Sequence, residues 1–218
     1  YGSAIHKALE DFLSDYTAKK TYKKDILFES FETYLKKEGF DSKTEETYLA
    51  RGRENLESIY IEITRQSYGE LFLEYDFRAA HGGTYLPIWS SDAIQITGKI
   101  DRIERLPDDS LIITDYKTGG GFDAFDGKWA DYEKIKQWKY RLQLAFYAIL
   151  FELSPRWKMF QSKKYELFFV EKNRDEDRFH RVVEYIHEWE IQRAKSLIIA
   201  VSKCISEMNF PDISKYPK

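Results

Sequence analysis

Gly98–Gly121, GKIDRIERLPDDSLIITDYKTGGG, narrows the folds open to this chain more than any other stretch. Apolar and polar residues mostly alternate over Ile94–Leu106 and again over Leu111–Thr118, the pattern of two half-buried strands. Pro107-Asp108-Asp109-Ser110 between them is turn chemistry. Asp115 and Lys117 are two apart and so share a face of their strand with Leu111 and Ile113, which favour burial. A carboxylate and an ammonium beside such residues are costly unless they are paired or bound to a metal. Asp101 on the preceding strand can supply a second carboxylate. Two carboxylates and a lysine on one hairpin fit a divalent cation with oxygen ligands, the lysine being left to stabilise developing charge. They equally fit a solvated Asp–Lys pair with a separate surface aspartate.

Hairpin register separates these readings. If Pro107–Ser110 were a four-residue loop, Asp101 would lie opposite Tyr116 and point away from Asp115, because a one-residue slip flips a side chain to the other face. A shared site therefore requires a loop of odd length or a bulge. A three-residue loop at Asp108–Ser110 puts Asp101 opposite Lys117 and a five-residue loop puts it opposite Asp115, and in either case the Asp101 and Asp115 carboxylates should lie within about 5 Å of each other.

The remaining composition excludes several classes. The 218 residues, 43 % hydrophobic and 17 % aromatic, are enough for a sizeable core. No apolar run approaches the roughly 20 residues of a membrane span, and no signal peptide is visible. Cys204 is the only cysteine, so a disulfide framework and a cysteine metal cluster are both excluded within these residues. A cytoplasmic location is expected. The net charge of −3 is not that of a non-specific nucleic-acid binder, whose footprint is basic. A first residue that is not Met and a tail containing Pro and Lys are expected of a piece of a longer polypeptide.

Elsewhere the chain reads as helices around further strands. Ser3 is placed to cap a helix over Ala4–Tyr16 with Ile5, Leu9, Phe12 and Leu13 inward and His6 flanking that face. Further helices are expected over Lys24–Lys37, ending at Gly39, and over Thr44–Ser67. Glu70–Ala79 alternates as a strand, and His81-Gly82-Gly83 is a turn or loop. Gly119–Gly121 opens a loop reaching Gly127, read either as a linker or as backbone able to approach a ligand closely. A long helix over Asp131–Leu153 carries a stripe of Ile135, Trp138, Leu142, Phe146, Ile149 and Leu153, expected to be buried. A second, polar stripe of Lys136, Tyr140, Gln143 and Tyr147 would by itself be a solvated face. A strand over Lys164–Glu171 and a last helix over Arg178–Met208 complete the order. The fold class is α/β (α+β): a mixed sheet flanked by helices, with an N-terminal helical segment. One domain over 1–218 is expected, with N-terminal helices to 68, a catalytic sheet and helix over 69–172, and a C-terminal helix and tail over 178–218.

G-S-A-I-H, G-K-I-D-R-I, I-I-T-D-Y-K-T-G and Q-L-A-F-Y, in that order between Gly2 and Tyr147, resemble the PD-(D/E)XK nuclease superfamily. The likeness is to its RecB-like branch, which includes the nuclease domains of helicase–nucleases and the CRISPR adaptation nucleases. The resemblance implies a restriction-endonuclease-like core. It also implies a deoxyribonuclease dependent on Mg²⁺ or Mn²⁺, an exonuclease working on DNA ends beside a helicase domain or subunit. His6, Asp101 and Asp115 would be metal ligands, joined by the backbone carbonyl of Tyr116. Asp101 and Asp115 would act with Lys117 as the catalytic set, and Gln143 and Tyr147 would bind substrate. Glu74 is open between an acid behind the site and a structural salt bridge. Many members of the branch also hold an iron–sulfur cluster on four cysteines, which the residues present here do not support. The alternative is a catalytically silent DNA-end-binding or protein-interaction module of the same fold.

Overall fold

The computed structural model describes residues 1–78, 83–88, 93–125, 131–172, 177–210 and 212. Its elements are α1 (Gly2–Lys19), α2 (Lys24–Lys37), α3 (Ser42–Thr64), β1 (Glu70–Asp76), β2 (Tyr85–Pro87), β3 (Ala93–Gln95), β4 (Lys99–Arg105), β5 (Leu111–Lys117), α4 (Asp131–Leu153), β6 (Lys163–Phe169), β7 (Arg181–Glu184) and α5 (Glu188–Ser206). They fall into two compact units. The first comprises Tyr1–Tyr75, Lys99–Ala124 and Phe160–Tyr185, and the second Asp76–Gly98, Phe125–Met159 and Ile186–Lys218. No helix among the described residues is long and apolar enough to cross a membrane.

The first unit holds α1–α3 and a five-stranded sheet in the order β1-β4-β5-β6-β7. β4 and β5 are antiparallel, β5 and β6 parallel, and β6 and β7 antiparallel, so the sheet is mixed as expected. Ile5, Leu9, Phe12 and Leu13 of α1 lock with Leu27, Phe31 and Leu35 of α2 and Leu56, Ile59 and Ile63 of α3. That cluster continues onto Tyr116 and Phe168 of the sheet and Val170 just past β6. Gly52 lets α3 approach α2: a Cβ there would sit 2.0 Å from the Phe31 ring. Asp41, not a residue within the expected helix, starts α3 by accepting from the N–H groups of Lys43 and Thr44 at 3.1 Å each.

On the helix-facing side of the sheet runs a buried polar ladder. Arg102, 2 % exposed, donates from Nη2 to Thr114 Oγ1 at 2.9 Å and to Glu166 Oε2 at 3.2 Å. Thr114 donates to the same Glu166 oxygen at 2.7 Å, and Arg181 donates to Oε1 at 2.8 Å. Burial alone would push the Glu166 carboxyl up. The Arg181 and Arg102 guanidinium groups, with the Thr114 hydroxyl, outweigh that and hold it below the usual range. Arg102 also lies by the rings of Tyr68 and Tyr116, at 5.2 and 5.8 Å from their centroids.

The second unit holds the two-stranded β2–β3 sheet, α4 and α5. Leu144, Ala148, Ile149 and Phe151 of α4 are buried. The stripe expected for this helix is rotated over its first half, where Ile135 and Trp138 are 56 % and 51 % exposed and Gln137 is buried. Trp138 instead lines a groove with Trp189 and Leu197 of α5. At the groove's edge Arg141 grips Glu190 through bonds of 2.6 and 3.0 Å.

Three further expectations are corrected. Tyr1, not Ser3, precedes the first turn of α1, and no side chain caps it. Ile94–Leu106 is two strands in different sheets, because alternation continues across the point where the pairing partner changes. Arg178–Met208 is not one helix: Arg181–Glu184 forms β7, with Val182 buried and Val183 exposed. α5 starts only after His187, whose N–H donates to the Glu190 carboxylate at 2.9 Å. Residues 79–82, the end of the glycine loop at 126–130, and Pro211 and Pro217 lie outside the described residues.

Candidate metal centre

Arg105 pairs directly with Leu111, which leaves the five residues Leu106–Ser110 as the hairpin loop. Leu106 N–H closes it onto Ser110 O at 2.9 Å, and Asp109 takes the left-handed conformation, φ 61°. Asp101 and Asp115 each adjoin the last registered pair, Arg102↔Thr114, in strands where successive side chains alternate between faces. Both acids therefore leave the sheet on the face opposite Arg102 and Thr114. This is the odd loop that a shared face requires.

Asp101 is gripped from two sides. Its Oδ2 accepts the Tyr116 N–H at 2.7 Å, and its Oδ1 lies 3.4 Å from His6 Nδ1. His6 comes from the first turns of α1, whose start lies close against the residue following Lys117. A Cβ on Gly2 would meet Thr118 Oγ1 at 3.0 Å, so the glycine of G-S-A-I-H lets the helix approach the end of β5. Burial of the imidazole opposes its charging. The hydrogen bond and charge of Asp101, with the charges of Asp115 and Glu74, outweigh that and raise its pKa.

The third member of this group is Glu74. His6, Glu74 and Asp101 each offer one ligand atom, and these atoms all lie within 4.8 Å of one another. Glu74 sits in β1 with φ 48°, a conformation rare for a non-glycine residue and rarer inside a strand. That local twist breaks the alternation and changes where the side chain is aimed. Glu74 is also ion-paired to Lys99, so both readings open for it from the sequence have a counterpart in the structure.

Asp115 is 4 % exposed and ion-paired to Lys117, with Nζ 2.5 Å from Oδ2. Tyr116 meets the group through its N–H, and its ring packs edge-on to His6 with centroids 6.0 Å apart. Gln143 and Tyr147 belong to the second unit, where Gln143 Nε2 donates to the Tyr147 hydroxyl at 2.7 Å, one helical turn on. Tyr147 is buried rather than on a solvated face. Arg102, read in the sequence only as part of a motif, also matters here.

Two carboxylates and an imidazole, partly buried and mutually within reach, form a donor set that fits a divalent cation. Lys99 and His6 partly offset the like charges of Asp101 and Glu74.

The PD-(D/E)XK nuclease superfamily model matches residues 1–217. No curated protein matches the chain. Among solved structures, that of SSO0001 is 13 % identical with a TM-score of 0.37, over 92 % of this chain and 75 % of that one.

Proposed function

Because the chain belongs to the PD-(D/E)XK nuclease superfamily, we propose that it is a divalent-metal-dependent nuclease that hydrolyses phosphodiester bonds of DNA. The observation that carries this reading is the convergence of His6, Glu74 and Asp101 next to the buried Asp115–Lys117 pair. His6, Asp101 and Glu74 would hold the cation, with Asp115 beside them. A bound Mg²⁺ or Mn²⁺ would supply Lewis-acid neutralisation of charge on the phosphate. An imidazole among the ligands favours Mn²⁺ over the purely oxygen-loving Ca²⁺.

The chain's own groups then have separate tasks. Lys117, an ammonium held against Asp115, stabilises charge on a non-bridging phosphate oxygen as water attacks phosphorus. The water gives up a proton as its oxygen bonds to phosphorus. The P–O bond to the leaving sugar oxygen breaks, and that oxygen takes a proton. No covalent enzyme intermediate is needed. The Tyr116 N–H fixes the Asp101 carboxylate, so the ligand geometry is set before substrate arrives. Gln143 and Tyr147, bonded to each other, would contact the substrate. Within the superfamily we place the chain in the RecB-like branch, acting as an exonuclease beside a helicase domain or subunit.

End-labelled single- and double-stranded DNA and RNA, incubated with Mg²⁺, Mn²⁺ or EDTA, test the reading. Metal-dependent release of label from DNA ends is expected, and it should vanish with Lys117→Ala. Cleavage in EDTA, or none with either metal, would refute it.

A further inference from the structure

A second feature of the first unit is a cavity of about 400 Å³ between the end of α3 and the connection from β6 to β7. Its charged lining is Arg65, Lys172, Arg178 and Arg181 against Glu62 and Asp177, four cations to two carboxylates. Asp123 and Glu166 behind the lining hold Arg178 and Arg181, so the positive charge open to a ligand is that of Arg65 and Lys172. Arg65 is exposed and makes no ion pair among the described residues. The partner of Lys172 is Asp177, whose side chain is 88 % exposed, so the pair is a surface one that a stronger anion can displace.

The other cations are held in place. Arg178 is bidentate to Asp123 at 2.8 and 2.6 Å. Arg181 lies 3.7 Å above the Phe168 ring and donates to Glu166 and Glu62. Phe179 packs edge-on against Phe168, with the Lys172 ammonium 5.9 Å from its ring. Positive charge beside an aromatic face is how proteins hold single-stranded nucleic acid, the charge on the phosphates and the ring against a base. Position agrees with this. Lys117 pairs with Phe169 across the parallel β5–β6 step, so Lys172 lies beyond the same end of the sheet as the metal-ligand group. β4 to β7 is three interstrand steps, about 14 Å within the sheet, and Arg181 and Phe179 meet Glu166 and Phe168 on its helix-facing side, so a substrate strand joining the two places passes round that end of the sheet.

We propose that this cavity is a subsite for a nucleotide of a single-stranded substrate, more than one step along the strand from the bond that is cut. Arg65 and Lys172 take its phosphate and Phe179 faces its base. The proposal rests on the nuclease reading above and adds to it the path of the strand.

The test uses the full chain carrying Lys117→Ala, with or without Arg65→Ser and Lys172→Ser, and a labelled oligothymidylate long enough to span both places. Anisotropy titrations should give a Kd about tenfold higher for the triple variant. The slope of log affinity against log salt should shrink by about 1.4, two phosphate contacts at about 0.7 each. With Lys117 restored, the double variant should lose cleavage of long strands more than of fragments too short to reach the cavity. An unchanged Kd and salt slope, with wild-type cleavage intact, would overturn the subsite alone. A wild-type protein that cuts only duplex DNA would overturn the subsite and leave the nuclease reading standing, and one that cuts no DNA with either metal would overturn both. Thymidine monophosphate binding as tightly as the oligomer would make the cavity a free-nucleotide pocket and would also overturn the proposal.

Discussion

Glu166→Ala should destabilise the protein far more than its distance from the candidate metal ligands implies. The carboxylate accepts from Arg102, Thr114 and Arg181, and only 7 % of its side chain is exposed. Arg181 keeps Glu62 after the substitution. Arg102, 2 % exposed, keeps Thr114, two tyrosine rings and the more distant charge of Glu104. Removing one member of a buried pair and leaving the other charge costs about 3–5 kcal/mol. At about 2–4 °C per kcal/mol for a chain of this length, the melting temperature should fall by roughly 6–20 °C at neutral pH. Glu166→Gln keeps the shape but not the charge and should fall between. The folded pKa of Glu166 lies below its unfolded value, so over that interval the unfolded chain binds more protons. Its contribution is present above the unfolded pKa, about 4.3 for an ordinary glutamate, and is lost as pH falls through the folded value. The gap between wild type and Glu166→Gln should therefore narrow as the pH is lowered below the mid-fours. Calorimetry or circular dichroism across pH measures both effects. A Glu166→Ala protein melting within a degree or two of wild type at pH 7 would refute the reasoning, as would a gap that widens in acid.

Other outcomes follow from the ligand group. Mn²⁺ at a hundred times its Kd should add about 2.7 kcal/mol of stability, a rise of roughly 5–11 °C over EDTA, seen by thermal melting. Asp115→Asn and Lys117→Ala each break a largely buried pair and should lower the melt while leaving the chain folded, and each should cut cleavage by at least about 10²-fold in the end-labelled assay. His6→Ala should weaken Mn²⁺ binding by calorimetry and regain part of its activity at high Mn²⁺, whereas Lys117→Ala should regain none. Glu74→Gly should relieve a strained φ worth about 1–3 kcal/mol while weakening Mn²⁺ at least about tenfold. Equal metal affinity with and without Glu74 would remove it from the ligand set.

Much of this was legible in the chain because local pattern and long-range need agreed. Alternation in KIDRIER and LIITDYK placed β4 and β5. The requirement that Asp101 and Asp115 share a face then fixed the parity of their loop. His6 lies far from the hairpin in sequence, and nothing in its helix marks it. Only the motif order drew it in, and the close approach permitted at Gly2 shows how α1 carries it there. Alternation misled where the pairing partner changed without a change of pattern, at β3 and β4. Helical spacing misled at Arg181–Glu184, a four-residue strand too short to show its own period. The α4 stripe failed because a helix with aromatic and aliphatic residues on several sides does not say which side is covered.

Glu74 stayed open between two readings, and Arg102 was read only within a motif, for related reasons. In a strand, parity assigns side chains to faces, and parity fails wherever φ turns positive, as at Glu74. Such a conformation is costly for a glutamate, so its persistence needs compensation, and the Lys99 ion pair supplies part of it. Arg102 obeys parity, and this sends it away from Asp101. The neighbouring D-R pair thus splits its tasks across the sheet. Asp101 joins His6 and Glu74 on one face, and Arg102 ties β4 to β5 and β6 on the other through Thr114 and Glu166. A ligand on a strand is only as fixed as the strand, and the Arg102 ladder braces β4 against its neighbours one residue from Asp101. For that reason a substitution at Glu166, on the far face of the sheet, should loosen the cation site as well as the fold. Glu166→Ala should bind Mn²⁺ more weakly even at temperatures where it remains folded, and undiminished affinity there would separate the ladder from the site.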